Sequence, residues 1–320
     1  MSNLFLKLTG CAGARDSLSC LRTIPSVTLD RANTIAFSQG ASFNPLRDRY
    51  FVQETPSKQL EAGRFNRSIA IIHGNNLDEG TQLAAPFALN LTSDFAFSRV
   101  LLATYGERVQ SIMTDILRVW PNIPSLGQPN RPYYYGSSPN DTFFPSGPDG
   151  AINQYKRLSS FWQDVLFEAG RRQHLFAAVK MSVPAWSYRF AQPTPENATF
   201  AKYQDTAALG VQHASDLPYS FGYPPKASNM SEQPKTLQPF IADSILENIT
   251  ATMTAAWIHF ATKGDPNGQD VPRWQTYGSS NTTTNGNELI FQPEGTKMQE
   301  DSFHCEETQW LLSQASRFGL

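Results

Sequence analysis

The sequence predicts an α/β protein, and three observations predict it. Ile69 to His73 is a compact, largely β-branched run that stops at Gly74, as a buried parallel strand does. Ala185 to Phe190 alternates with the period of a strand. Around them lie long stretches whose apolar residues recur at threes and fours, the spacing of helices that pack on a sheet.

The elements follow in chain order. Residues 1–35 read as a cysteine-bearing loop and then a short helix capped by Ser26, with Asp30 and Arg31 on its exposed face. Residues 36–67 are mixed and turn-rich. The strand at Ile69 comes next, and Glu79 falls just beyond its C-terminal end, where open α/β sheets place their sites. From Ser93 to Trp120 the spacing is helical, with Phe95, Phe97, Val100, Leu101, Ile112, Ile116 and Val119 in phase and a break at Gly106. Seven prolines and the Tyr133-Tyr134-Tyr135 run make residues 121–150 a long loop or insertion. A helix is expected from Tyr155 to His174, with Phe161, Trp162, Val165 and Leu166 inward. After the strand Ala185 to Phe190, residues 192–206 form a loop. Residues 223–239 are proline-rich and polar. Ile241 to Thr262 is the best amphipathic helix, with Ile245, Ile249, Met253, Trp257 and Phe260 on its inner face. Few strands are evident, so the sheet reads as incomplete.

Composition narrows the function. Forty per cent hydrophobic and 12% aromatic residues suffice for a real core in a 320-residue chain. A net charge of −2 argues against a nucleic-acid partner or an anionic membrane surface. No apolar run approaches the roughly 18 residues of a membrane span. Seven glycosylation acceptors occur, at Asn66, Asn90, Asn140, Asn197, Asn229, Asn248 and Asn281, which points to the secretory pathway. Cys11 and Cys20 are spaced so that a disulfide can close the loop between them. Cys305 is then odd, either a thiol or paired with sequence elsewhere. Met1 to Ala14 has no basic leader, and Lys7 interrupts Leu4 to Leu8. That is not a signal peptide, and the expectation is a true beginning upstream.

Two segments carry chemistry. Gly74-Asn75-Asn76-Leu77-Asp78-Glu79-Gly80-Thr81 offers a carboxylate at a strand end. Gly210-Val211-Gln212-His213 offers an imidazole, whose pKa near neutrality suits a general base. They have the look of the acid and base of a serine hydrolase. Gly-x-Ser-x-Gly, the nucleophile turn of α/β-hydrolases, is absent. Ser42 in Gly40-Ala41-Ser42-Phe43-Asn44 is the nearest approach and lacks the second glycine. Gly136-Ser137-Ser138 and Gly278-Ser279-Ser280 read as ordinary loops. His73 reads as a packed core residue, His174 and His259 as helix-surface residues, and His304 lies near the C-terminus. None of these pairs has the His-Glu-x-x-His spacing of a zinc hydrolase. No metal or organic cofactor is expected.

Together the segments resemble the type-B carboxylesterase/lipase family, the cholinesterase-like branch of the α/β-hydrolases. The Asp78-Glu79-Gly80 turn is similar to its strand-end motif. Gly210-x-x-His213-x-x-Asp216-Leu217-x-Tyr219-x-Phe221-Gly222 is similar to its histidine loop. Trp257-x-x-Phe260-Ala261-x-x-Gly264-Asp265-Pro266-Asn267, followed by Trp274 and Tyr277, resembles its C-terminal helix and turn. The resemblance implies an α/β-hydrolase fold, with residues 1–320 as about the last three-fifths of the family domain. It makes Glu79 the triad acid and His213 the base, with Asp78 a turn or supporting residue. It also implies a Cys11–Cys20 disulfide, as in fungal lipase-like members, and a structural role for Cys305. The substrate class would be a small-molecule or lipid ester, and the full-length protein would be secreted.

The departures set the rival readings. In the family the nucleophile turn precedes the Cys11/Cys20 loop, and a glycine-rich oxyanion loop comes earlier still. Residues 1–320 contain no Gly-Gly pair. The interval from Glu79 to His213 is long for the family, with extra sequence around Tyr133 to Gly150. The alternatives to an ester hydrolase are a non-catalytic cholinesterase-like interaction module and an inactive truncated fragment.

Overall fold

Alternation along one strand sorts the molecule into layers. The computed structural model describes residues 2–39, 47–130, 138–193, 206–224, 243–279 and 286–319. It divides into two units, Met1–Glu54 and Thr55–Leu320. The larger holds a four-stranded sheet in the order β1 (Ile71–Asn76), β2 (Ala185–Phe190), β3 (Asn287–Phe291) and β4 (Lys297–Glu300). β1 and β3 flank β2 in parallel, with Asn76 opposite Phe190 and Tyr188 opposite Leu289. β4 returns antiparallel to β3.

Successive side chains of a strand point to opposite faces. On one face Trp186, Phe190, Leu289 and Phe291 pack against Leu246, Ile249, Met253 and Ala256 of the helix Asp243–Lys263. On the other, Ser187 and Arg189 meet the helical stretch that runs from Tyr155 to Lys180. A second core forms among helices. Phe97 and Leu101 of Asp94–Tyr105 and Ile116 of Met113–Val119 pack on Leu158 and Phe161, with Trp120 edge-on to Phe161 at 5.1 Å. No helix among the described residues is long and apolar enough to cross a membrane.

Several expectations change in detail. β1 is half-buried over Ile71–Gly74 rather than fully buried, because among the described residues β2 is its only strand neighbour. The helical stretch from Ser93 is two α-helices joined by a 3-10 segment, Gly106–Ile112. The Ser93 hydroxyl caps the first of them, accepting from the Ala96 amide at 3.1 Å. The helix from Tyr155 contains a π turn, Asp164–Glu168. The extra residue in that turn slips the helical phase. Phe161, Trp162 and Val165 stay buried, while Leu166 turns outward at 52% exposure.

In the smaller unit, the 26–38 helix starts on Ser26 itself, and the Pro25 carbonyl before it accepts from Thr28 and Leu29. Two further helices, Ser2–Leu8 and Ser17–Thr23, precede it. Asp16 caps the second by accepting from the Leu18 and Ser19 amides. Cys11 and Cys20 form a disulfide. Ser42, Tyr133 to Tyr135, Asn197, Asn229 and Asn281 lie outside the described residues.

Candidate active site

β1 ends in Asn75 and Asn76, which are buried, and the chain then turns through Leu77-Asp78-Glu79-Gly80. Gly80 is required here by space. A Cβ would sit 2.0 Å from the Ser159 carbonyl and 2.6 Å from the Gln163 amide nitrogen. The turn is therefore pressed directly on the helix Tyr155–Gln163. Gln163 tightens the contact, accepting from the Gly80 amide at 3.2 Å and donating to the Asn76 carbonyl at 3.3 Å.

Glu79 is buried with a side-chain exposure of 5%, and His213 reaches it from a loop 134 residues later. His213 Nδ1 lies 2.6 Å from Glu79 Oε2. The other oxygen, Oε1, accepts from the Asn76 backbone amide at 2.7 Å and from Asn76 Nδ2 at 3.1 Å. Both oxygens are engaged, so the carboxylate cannot swing away without breaking bonds in a buried place. The imidazole keeps its other edge open, with 53% of its side chain exposed. Phe167, on the π turn, packs against the ring at 5.3 Å between centroids. The Glu79 hydrogen bond raises the His213 pKa above its ordinary value; partial burial opposes this, and the charges of Glu79 and Asp216 add to it.

Asp78 joins the two loops. Its amide donates to the Val211 carbonyl at 2.9 Å, and its Oδ2 accepts from the Val211 amide at 2.8 Å. The Tyr155 hydroxyl lies within hydrogen-bond distance of the Thr81 and Ala208 carbonyls, and the Thr81 hydroxyl within reach of those of Asp78 and Leu209. Among the described residues no serine hydroxyl bonds to His213. What the arrangement can do is hold an imidazole in one tautomer, proton on Nδ1, and present Nε2 as a base.

The remaining histidines sit elsewhere. His73 and His174 are half-buried and pair with each other, Nδ1 to Nδ1 at 3.3 Å; burial with Arg171 nearby pushes His73 down to about 4. His73 is thus not a fully packed core residue, and His174 is not on an open surface. His259 packs against Gly268. His304 bonds the buried Asp164 at 2.8 Å, and Trp120 Nε1 donates to the same carboxylate. Cys305 begins the helix Cys305–Ser313 and accepts from Gln309 Nε2 at 3.2 Å.

Behind the site lies a feature that the sequence did not reveal. Arg171, Arg172 and Arg189 interlock with Glu168, Glu288 and Asp301, all buried. Burial works to raise Asp301, but Arg171 and Arg172 hold its carboxyl far below the usual range. Tyr277 donates to Asp301 at 2.8 Å. Gln163 Nε2 donates to Glu168 at 3.1 Å, linking this network to the Glu79 turn.

The carboxylesterase family matches residues 1–307 of this chain. The chain belongs to the carboxylesterase family. Lipase 1 of Geotrichum candidum is 25% identical over 98% of this chain and 49% of its own length. A secreted lipase 1 of Botryotinia fuckeliana is 28% identical over 65% of this chain and 33% of its own. The chain thus spans half or less of these relatives. The crystal structure of Aspergillus niger EstA superposes with a TM-score of 0.66 at 22% identity, covering 99% of this chain and 55% of that one. That likeness identifies the fold as part of an α/β-hydrolase, as expected.

Proposed function

We infer that this carboxylesterase-family chain is the acid- and base-bearing part of a serine-type carboxylic ester hydrolase. The single observation that carries the reading is the buried Glu79 carboxylate, fixed on both oxygens, with His213 Nδ1 2.6 Å from one of them. A carboxylate so held fixes the tautomer of the imidazole and stabilises its protonated form. His213 Nε2 would take the proton from a serine hydroxyl as that serine attacks the ester carbonyl, and would return it to the leaving alcohol. The acyl-enzyme would then be hydrolysed with His213 activating water. The nucleophile and oxyanion donors would come from sequence ahead of Met1, residues 1–320 forming the later portion of one catalytic domain. The substrate is a small-molecule or lipid ester.

Secretion of the full-length protein fits the Cys11–Cys20 disulfide and the exposure of all four acceptor asparagines that are described, Asn66, Asn90, Asn140 and Asn248. Expression in a secreting host should give a mass that endoglycosidase lowers.

The test of the catalytic reading is turnover of a short-chain nitrophenyl ester by the chain expressed with the in-frame sequence upstream of Met1. Turnover should fall by at least about 10³-fold in His213→Ala and in Glu79→Ala. Robust turnover that survives His213→Ala overturns the assignment. If no in-frame sequence precedes Met1, the nucleophile is not where this reading puts it, and a non-catalytic binding role takes its place.

A further inference from the structure

A second carboxylate stands beside the pair. Asn76 Nδ2 lies 3.1 Å from Glu79 Oε1 and also 3.1 Å from Asp216 Oδ1. One side-chain amide thus spans two acids, and an amide NH₂ has two protons with which to do so. The far oxygen of Asp216, Oδ2, accepts from the Tyr188 hydroxyl at 2.9 Å. Tyr188 is held on β2 by edge contacts with Trp257, Trp274 and Phe291. A chain of hydrogen bonds therefore runs from the aromatic core through Tyr188, Asp216 and Asn76 to Glu79, and from Glu79 to His213.

The chain has a directional logic. Asn76 can aim one proton at Glu79 Oε1 only while its amide plane is fixed, and Asp216 is the acceptor that takes the second proton and fixes the plane. With Oε1 so occupied, Oε2 is the oxygen left for the imidazole. The ionisable groups on the elements around His213 are Glu79 and Asp78 on the turn, Asp216 on its own loop, Tyr188 on β2 and Glu168 beside Phe167. Of these, Glu168 is neutralised by Arg171 and Arg189, and Asp78 is engaged with Val211.

We propose that Asp216 is a positioning residue, anchored by Tyr188, that acts through Asn76 to hold Glu79 on His213. The proposal rests on the acid–base reading above and names a residue beyond that pair. A merely structural Asp216 would change stability; a positioning Asp216 changes the state of His213. The measurement is NMR of the histidine-labelled chain, following the low-field Nδ1 proton of His213 and its titration, with His213→Gln to assign the signal. Asp216→Ala should broaden the Nδ1 proton beyond detection and bring the His213 pKa down toward the ordinary value. Asp216→Asn keeps an acceptor for Asn76, so the proton signal should persist while the pKa falls. Asp216→Glu should restore both in part. Should Asp216→Ala lose its native far-UV spectrum, Tyr188→Phe, which deletes only the donor to Oδ2, is read by the same criteria. An unchanged Nδ1 proton and an unchanged titration in the folded variants overturn the proposal. Glu79→Gln separates the two ideas. If it too leaves His213 unaffected, the acid–base reading itself fails; if it shifts His213 while the Asp216 variants do not, only the role of Asp216 is lost.

Discussion

Replacing Arg171 with Met tests whether the buried charge network, rather than apolar packing alone, secures the floor of the site. Arg171 is fully buried and makes four hydrogen bonds, to Ser187 Oγ at 2.6 Å, to both oxygens of Asp301 at 2.8 and 2.9 Å, and to Glu168 Oε2 at 2.7 Å. Met retains much of the stem but leaves three buried carboxylates facing two arginines. Breaking a buried pair by removing one partner costs about 3–5 kcal/mol, because the orphaned charge stays desolvated. With a urea slope of about 3 kcal/mol per M, the unfolding midpoint should fall by about 1–1.7 M. Fluorescence of the buried Trp186 and Trp274 reports the transition. Arg118→Met is the control: its partner Asp115 is 52% exposed, and Arg118 itself is 70% exposed. That change should stay within about 0.5 kcal/mol. If the midpoint of Arg171→Met falls no further than that of Arg118→Met, the network is energetically neutral and the reasoning fails.

Three other outcomes are expected. Gly210→Ala should destabilise the protein by about 1–3 kcal/mol, because Gly210 has φ +59° and a Cβ would lie 2.4 Å from Asp78 Oδ2; an unchanged melting temperature would count against the tight joint between the two loops. Reduction of Cys11–Cys20 should weaken the Met1–Glu54 unit by about 2–3 kcal/mol in the loop-entropy account, seen as faster amide exchange confined to that unit. For His213 the folded pKa lies above the ordinary 6.5, so protonation favours the folded state. The stabilisation is complete below about pH 6.5 and is lost as pH rises through the folded value. The melting-temperature advantage of wild type over His213→Gln should accordingly be larger at pH 5 than at pH 9, and the opposite trend would contradict the Glu79 contact.

Legibility in the sequence followed the range of the interactions involved. Ala185–Phe190 was readable because its alternation is local, and the strand before Glu79 in part, because a β-branched run is local too. Its bounds were not, since β1 starts at Ile71 and continues through Gly74 to Asn76, where pairing with β2 holds it extended. β3 went unread because the polar Asn287 and Glu288 leave only a short apolar run, whereas Glu288 is buried against Arg189, 99 positions away. Leu166 was misplaced because a 3.6-residue period was carried through a π turn. Glu79 and His213 were found by motif resemblance, and their contact by the structure. Asp216 and Tyr188 stand in or near recognisable patterns, but nothing in a linear string joins them to Asn76. Arg171 and Arg172 look like a solvated helix face until the π turn and the sheet enclose them.

The clasp between Asp78 and Val211 has a consequence for how such a chain can change. It pinches off the polymer between Glu79 and His213 at its root, much as a drawstring closes a bag. The entropy of closing a loop grows only with the logarithm of its length, so even doubling the loop adds about 0.6 kcal/mol. Closure entropy therefore sets no narrow limit on how many residues separate Glu79 from His213, but packing does. Gln128 is fully buried and Phe144 sits edge-on to Tyr155 at 4.7 Å, which ties parts of the stretch 121–150 to the helix beneath the Glu79 turn. Length can thus change between Glu79 and His213 only where such anchors are spared, while the Asp78–Val211 clasp keeps the two residues in register.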